Sequence, residues 1–169
     1  MYSLIPFIFS FLFAHTVAAA SDSAIVQGIL DDVNTYRRQH HLAPLQLDAT
    51  ISAQAKIHSI EMANHKEPFG HTHFPDRVKA IRKQIKNSGA AAENVAFNYK
   101  DAHDVVKNWL LSPGHKRNIV GHYNLTGIGI ARDHNGKLYF TQLFIKTDAP
   151  SSVTRRTGFT KFYESISKN

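Results

Sequence analysis

A chain of 169 residues, 43% hydrophobic and 20% charged, suits one globular domain rather than two and excludes disordered, collagen-like and fibrous architectures. It contains no cysteine, which removes disulfides, thiolate nucleophiles and sulfur-based zinc sites, so any metal would be held by His, Asp or Glu. The balance of 20 Lys+Arg against 13 Asp+Glu gives a net charge of +7, which favours anionic partners such as acidic glycans or lipid surfaces; no basic run of five or more appears, and the simplest reading is a soluble basic surface.

Residues 1–20, MYSLIPFIFSFLFAHTVAAA, carry no Lys, Arg, Asp or Glu. The apolar stretch from Leu4 to Phe13 is broken only by Pro6 and Ser10, and Ala18-x-Ala20 follows as a small-residue cleavage pattern. This predicts a secretory signal peptide cleaved after Ala20, because the stretch is too short for a bilayer of ~30 Å. The only positive charge ahead of it is the α-amino group, so an uncleaved anchor is the alternative. Either way the protein is expected to be secreted or periplasmic.

Ile25, Val26, Ile29, Leu30, Val33 and Tyr36 recur at helical spacing, which predicts an amphipathic helix ending before Ala43-Pro44. Asp48 is a candidate N-cap for a second helix running to about Asn64. That helix has two stripes, Ile51-Ala55-His58-Met62 and Ala53-Ile57-Ile60, which predicts burial on both sides, with His58 read as a satisfied core histidine. A short basic helix is expected from Asp76 to about Ile85, then a turn at Asn87-Ser88-Gly89 and a helix from Asp101 to Leu111. Gly127–Arg132 and Leu138–Ile145 read as two strands joined at Asp133-His134-Asn135-Gly136, which carries the Asn-Gly hairpin signal. Helices followed by a hairpin argue for an α+β fold with helices packed on an antiparallel sheet. The domain is placed at 25–146 and a polar C-terminal tail at 147–169.

The chemistry-bearing segments are Gly70-His71-Thr72, Glu93-Asn94-Val95-Ala96 and Ser112-Pro113-Gly114-His115. Ser112 can cap a short helix with Pro113 at its first position. His115 then sits in the first turn, where the positive helix end disfavours imidazolium and leaves a neutral ring able to bind metal or act as a base. Two His and one Glu are a ligand set that zinc accepts; a buried His–Glu–His hydrogen-bond cluster that fixes loops is an equal reading. Metalloprotease, nucleophile-elbow, dinucleotide and P-loop motifs are absent from the sequence. The basic residues Arg77, Lys79, Arg82, Lys83 and Lys86 have no interleaved aromatics and read as a solvated helix face rather than a specific nucleic-acid site.

In order, Val33-Asn34…Tyr36-Arg37, Leu42-Ala43-Pro44-Leu45, Gly70-His71-Thr72, Glu93-Asn94-Val95-Ala96, Trp109…Ser112-Pro113-Gly114-His115, Gly127-Ile128-Gly129 and Tyr139-Phe140-Thr141-Gln142-Leu143-Phe144 resemble the CAP superfamily of cysteine-rich secretory, antigen 5 and pathogenesis-related proteins, in its cysteine-free bacterial-type branch. The resemblance implies a three-layer α-β-α sandwich with a central antiparallel sheet and a cleft lined by His and Glu that binds a divalent metal in some members. His71 and Glu93 match two of those positions. Where the family's second Glu and second His are expected, this chain has Ser112 and Tyr139, so His71, Glu93 and His115 are the set carried over, with zinc as the candidate metal and no cofactor required. Family members are described as binding sterols or other lipids, glycans or partner proteins, and protease activity has been proposed for a few. Three functions follow as expectations. The leading one is a monomeric binding or interaction module for a small hydrophobic ligand, glycan or protein. The others are a metal-assisted hydrolase with Glu93 as ligand or base, and a salt-sensitive binder of anionic glycans or lipids; the balance leans away from an enzyme.

Overall fold

The computed structural model describes residues 21–148; the expected leader and all but the first two residues of the expected tail lie outside them. The first helix, α1, spans Asp22–Gln39. Its start is set by Ser21, whose hydroxyl accepts from the Ala24 N–H, and its ends carry Asp22 at the positive pole and Arg37 and Arg38 at the negative one. A two-residue strand, β1 (Gln46–Leu47), leads into α2 (Ala49–Ala63), with Asp48 capping as its sequence position suggests. Then follow α3 (Phe74–Gln84), β2 (Ser88–Phe97), α4 (Ala102–Leu111), α5 (Pro113–Ile119), β3 (Leu125–Arg132) and β4 (Leu138–Thr147).

The sheet order is β1-β3-β4-β2. The three long strands are antiparallel, with Glu93 opposite Leu143 and Gly127 opposite Leu143 from the other side. One layer of helices, α1 with α4 and α5, covers a core built on Trp109, Phe140 and Phe144. The other layer, α2 with α3, covers Ile51, Ile81 and Leu143. This is the α-β-α sandwich.

The structure departs from the sequence reading in four places. The sheet is mixed, since β1 runs parallel to β3. Asn87-Ser88-Gly89 is not a free-standing turn: Ser88 opens the ten-residue β2 and pairs with Thr147. Thr147 is itself the buried last residue of β4, so the domain runs past 146. Finally, α2 is buried on one side, not two. Ile57 is 47% exposed, while Ser52, Lys56, His58 and Ser59 are inside with Ile51, Ala55 and Met62.

The reason for that polar burial is a close helix–strand approach. A Cβ at Gly127 would run into the backbone of Ile51 and Ser52, and one at Gly129 into that of Ala55 and Lys56. With no side chains between them, α2 lies directly on β3. The side of β3 that β1 covers for two residues is then completed by α2. Asp48 N–H donates to the Thr126 carbonyl, the Ser52 hydroxyl accepts from Ile128 N–H and the Lys56 ammonium donates to the Ile130 carbonyl. Open strand edges invite unwanted pairing, and here helix side chains close one.

Candidate functional site

The edge strand β2 carries the site residues on both of its faces. Glu93, with Val95 and Phe97, faces the α2–α3 layer, and Asn94 faces the other. The Glu93 side chain is 1% exposed and its carboxylate is gripped by Arg77 of α3: Nε donates to Oε2 and Nη2 to Oε1, both at 2.9 Å. Arg77 is 6% exposed, and its third nitrogen, Nη1, donates to the Thr72 carbonyl at 2.6 Å. Arg77 is therefore not part of a solvated basic face, as its place among Lys79, Arg82, Lys83 and Lys86 suggested. Those four are exposed, while Arg77 turns inward because a buried carboxylate needs a partner.

His71 reaches the same carboxylate from the loop before α3. Its Nδ1 lies 2.9 Å from Glu93 Oε1, and its side chain is 54% exposed. An ionised carboxylate only accepts, so Nδ1 is the donor and Nε2 is the nitrogen left toward solvent.

His115 comes from the opposite side of β2, in the first turn of α5. Ser112 is the N-cap residue with Pro113 after it, as expected, although the Ser112 hydroxyl makes no capping bond. The backbone of α5 is fastened to β2 by amides. Asn94 Nδ2 donates to the His115 carbonyl, and Asn118 Nδ2 donates to the Glu93 carbonyl and to Asn94 Oδ1. The His115 ring sits 6.5 Å from the Trp109 ring. Burial, and secondarily the charge of His71, hold its pKa below the ordinary value of 6.5. The neutral ring expected from a helix end is thus present for a different reason.

Tyr139 is not at this centre. It is 6% exposed, packed with Met62, Ala63, Val95 and Ala131, and it stacks on Phe97, which in turn meets Phe69. Phe69 and Phe97 are 49% and 42% exposed, which makes an aromatic ladder along the outer end of β2. Separately, a groove of about 380 Å³ lies between α1 and α4, lined by Tyr36, His103, Val106, Leu110, Leu111 and Lys116 among others; none of His71, Glu93 and His115 lines it.

The family-model comparison covers most of this architecture: residues 30–144 match the model described as CAP, cysteine-rich secretory protein family. The chain belongs to the CAP family. It is 34% identical over 135 residues to the protein YkwD of Bacillus subtilis (strain 168), covering 77% of this chain and 50% of that one. It is 32% identical over 123 residues to the membrane protein YlbC of the same organism, covering 70% and 33%. The chain thus spans half or less of these curated relatives. Among solved structures, an outer surface protein of Borrelia burgdorferi superposes with a TM-score of 0.66 at 22% identity, over 76% of this chain and 97% of that one. An extracellular protein of Bacillus anthracis containing an SCP domain superposes with a TM-score of 0.60 at 25% identity, over 77% and 45%. Within this CAP domain, the residue that sequence reasoning missed is Arg77. Its signal was present as the one cation in that helix on the same face as Val78 and Ile81, buried like them.

Proposed function

We propose that this CAP domain is an exported binding module that recognises a hydroxyl-bearing ligand, a glycan or a sterol-like lipid, through His71 and His115, and that it is not a metal-assisted hydrolase. The observation carrying this reading is the grip of Arg77 on Glu93. A carboxylate offers about four lone-pair positions, and Glu93 spends three of them, on two nitrogens of Arg77 and one of His71. Its side chain is 1% exposed. To ligate zinc or take a proton from water, Glu93 would have to use the one lone pair left on Oε2, from a side chain withdrawn from solvent and already held by a buried guanidinium. The trio His71, Glu93 and His115 therefore does not fit a three-ligand metal centre, and no catalytic step is assigned to it.

Glu93 fixes the ring of His71 instead. With Nδ1–H donated to the carboxylate, Nε2 of this half-exposed side chain is the nitrogen left for a ligand, an acceptor for a hydroxyl whenever the ring is neutral. His115, whose burial disfavours the charged ring, adds a second imidazole, and the exposed rings of Phe69 and Phe97 offer an apolar surface for the body of a ligand. Export is supported by the leader-like residues 1–20 and by the outer-surface and extracellular relatives. The +7 charge is the observation that favours the alternative, a salt-sensitive binder of anionic glycans or lipids.

The test is NMR of the histidine side chains during titration with short oligosaccharides and, separately, a water-soluble sterol. Saturable shifts at His71 and His115, abolished by His71→Ala in a folded chain, are expected. Zinc-dependent peptide hydrolysis lost in His71→Ala would overturn the reading, as would ligand shifts confined to the groove between α1 and α4. Binding that disappears steeply with added salt would instead support the electrostatic alternative.

A further inference from the structure

A second cluster of metal-ligating side chains lies apart from the His71–Glu93–Arg77 centre. His58 is on the buried face of α2 at 0% exposure. Glu61 follows three residues later on the same helix, and Glu67 returns over both from the loop between α2 and α3. Nitrogen and oxygen atoms from these three residues lie within 4.8 Å of one another. The return is fixed by backbone, since the N–H groups of Lys66 and Glu67 both donate to the Glu61 carbonyl.

The hydrogen bonding of His58 is what marks the cluster. Its Nε2 lies 2.9 Å from the Gly70 carbonyl oxygen. A carbonyl only accepts, so Nε2 carries the hydrogen, and Nδ1 of the neutral ring is a lone pair. That lone pair stands 3.2 Å from Glu67 Oε2, a second acceptor. Both atoms are buried and neither has a hydrogen-bond partner among the described residues. Two buried acceptors set against each other are costly unless a positive centre lies between them. The sequence reading of His58 as a satisfied core histidine therefore holds for one ring nitrogen only.

We propose that His58 Nδ1 and the carboxylates of Glu61 and Glu67 bind a divalent cation of the zinc type. One imidazole nitrogen and two carboxylates are ligands zinc accepts, with water completing the set. A His and a Glu three residues apart on one helix face present both ligands to the same point, a spacing that helix-bundle metal sites also use. The Gly70 carbonyl on Nε2–H is the outer partner that ligating histidines ordinarily have, fixing tautomer and ring direction. His73, whose Nε2 is 3.7 Å from Glu67 Oε1, stands beside the cluster. A bound cation clamps the loop of residues 64–73 to α2, and that loop carries His71. The site is independent of the ligand reading above and shares no residue with it.

Isothermal titration of the purified full chain with Zn²⁺ near neutral pH tests this. One equivalent is expected to bind, with a rise in Tm on zinc addition. Because His58 is fully buried and its loss endangers the fold, the decisive variants are Glu67→Gln and Glu61→Gln. Each should remain folded and weaken zinc at least about tenfold to hundredfold, the loss typical even for partners one shell further out. His71→Ala should leave the affinity unchanged. Absence of zinc binding by the folded wild type would overturn the proposal and make the His58–Glu67 contact a proton-bridged ion pair. Binding that survives Glu67→Gln, or that is lost in His71→Ala, would equally overturn it.

Discussion

Arg77 holds Glu93 by both carboxylate oxygens across 16 positions of the chain, with both side chains withdrawn from solvent. The pair joins α3 to the edge strand β2, and His71 is built onto it. A planar guanidinium matches a carboxylate in this two-point way and an ammonium does not.

Removing one partner leaves a buried, uncompensated charge. Arg77→Met is expected to destabilise the fold by about 3–5 kcal/mol, and Arg77→Lys to recover only part of that. The double change Arg77→Met with Glu93→Gln should be less damaging than the sum of the single changes. Urea denaturation of the four proteins measures this; additive losses would show that the two residues do not act as a pair.

The pH response follows from His115. Its folded pKa is held below 6.5 by burial and by His71, so between the two values the unfolded chain binds more protons than the folded one. Stability then rises with pH across that window. The contribution is fully present above about pH 6.5 and is lost as pH falls toward the folded pKa. His115→Gln should flatten this slope. Urea midpoints at several pH values in both proteins provide the comparison, and equal slopes would remove His115 from the account.

Gly127→Ala and Gly129→Ala each place a methyl group where backbone of α2 already stands. Because backbone cannot swing aside as a flexible side chain can, each change should cost at least about 1–3 kcal/mol. Thermal unfolding would register the loss, and it should exceed that of Gly136→Ala, a turn position with open space around it but φ +78°.

Arg37 poses a similar question on the other face. It is 2% exposed and fans over four carbonyls, those of Ala43, Ile119, Gly121 and Tyr123. Burial lowers its pKa from the ordinary value. Arg37→Met should cost about 3 kcal/mol or more by leaving carbonyls without donors, and Arg37→Lys should rescue little, since one ammonium cannot span four acceptors. Loss of ordered amide signals around Gly121–Tyr123 in Arg37→Met would locate the damage.

Much of the fold was legible because its periodic segments obey simple spacing. Helix α1, the Asp48 cap, α4 and the β3–β4 hairpin all announce themselves through apolar periodicity or turn residues, and Asp133 indeed closes the hairpin by accepting from Asn135 and Lys137 N–H groups. Strand β2 did not. Its first half, Ser88-Gly89-Ala90-Ala91-Ala92, has neither alternation nor branched side chains, and it is a strand because β4 pairs with Ser88 and, after an irregularity, with every residue from Ala91 to Phe97. The burial of α2 was misjudged for a related reason: Ser52, Lys56 and Ser59 look solvent-facing until the two glycines of β3 bring a strand within their reach. In the site, His71 and Glu93 each stand in a local motif and are hydrogen-bonded to each other, whereas the lowered pKa of His115 comes from burial and not from the helix end its motif pointed to. For Arg77 the helix spacing signals burial beside Val78 and Ile81 but not its partner, and the His58–Glu67 contact has no local signal, since in both cases only the folded chain defines the partner's position.

The seating of α2 on β3 also sets an order of events. Ser52 and Ile128, which it joins, are 76 positions apart. Contacts of that span are slow to form. Until β3 has been synthesised, Ile51 and Ala55 have no surface to settle on, and the polar groups of α2 have no strand to bond. The molecule therefore assembles its second layer only after β3 has been made, and the helices that precede it must remain soluble in the meantime through their own charged and hydroxylated side chains.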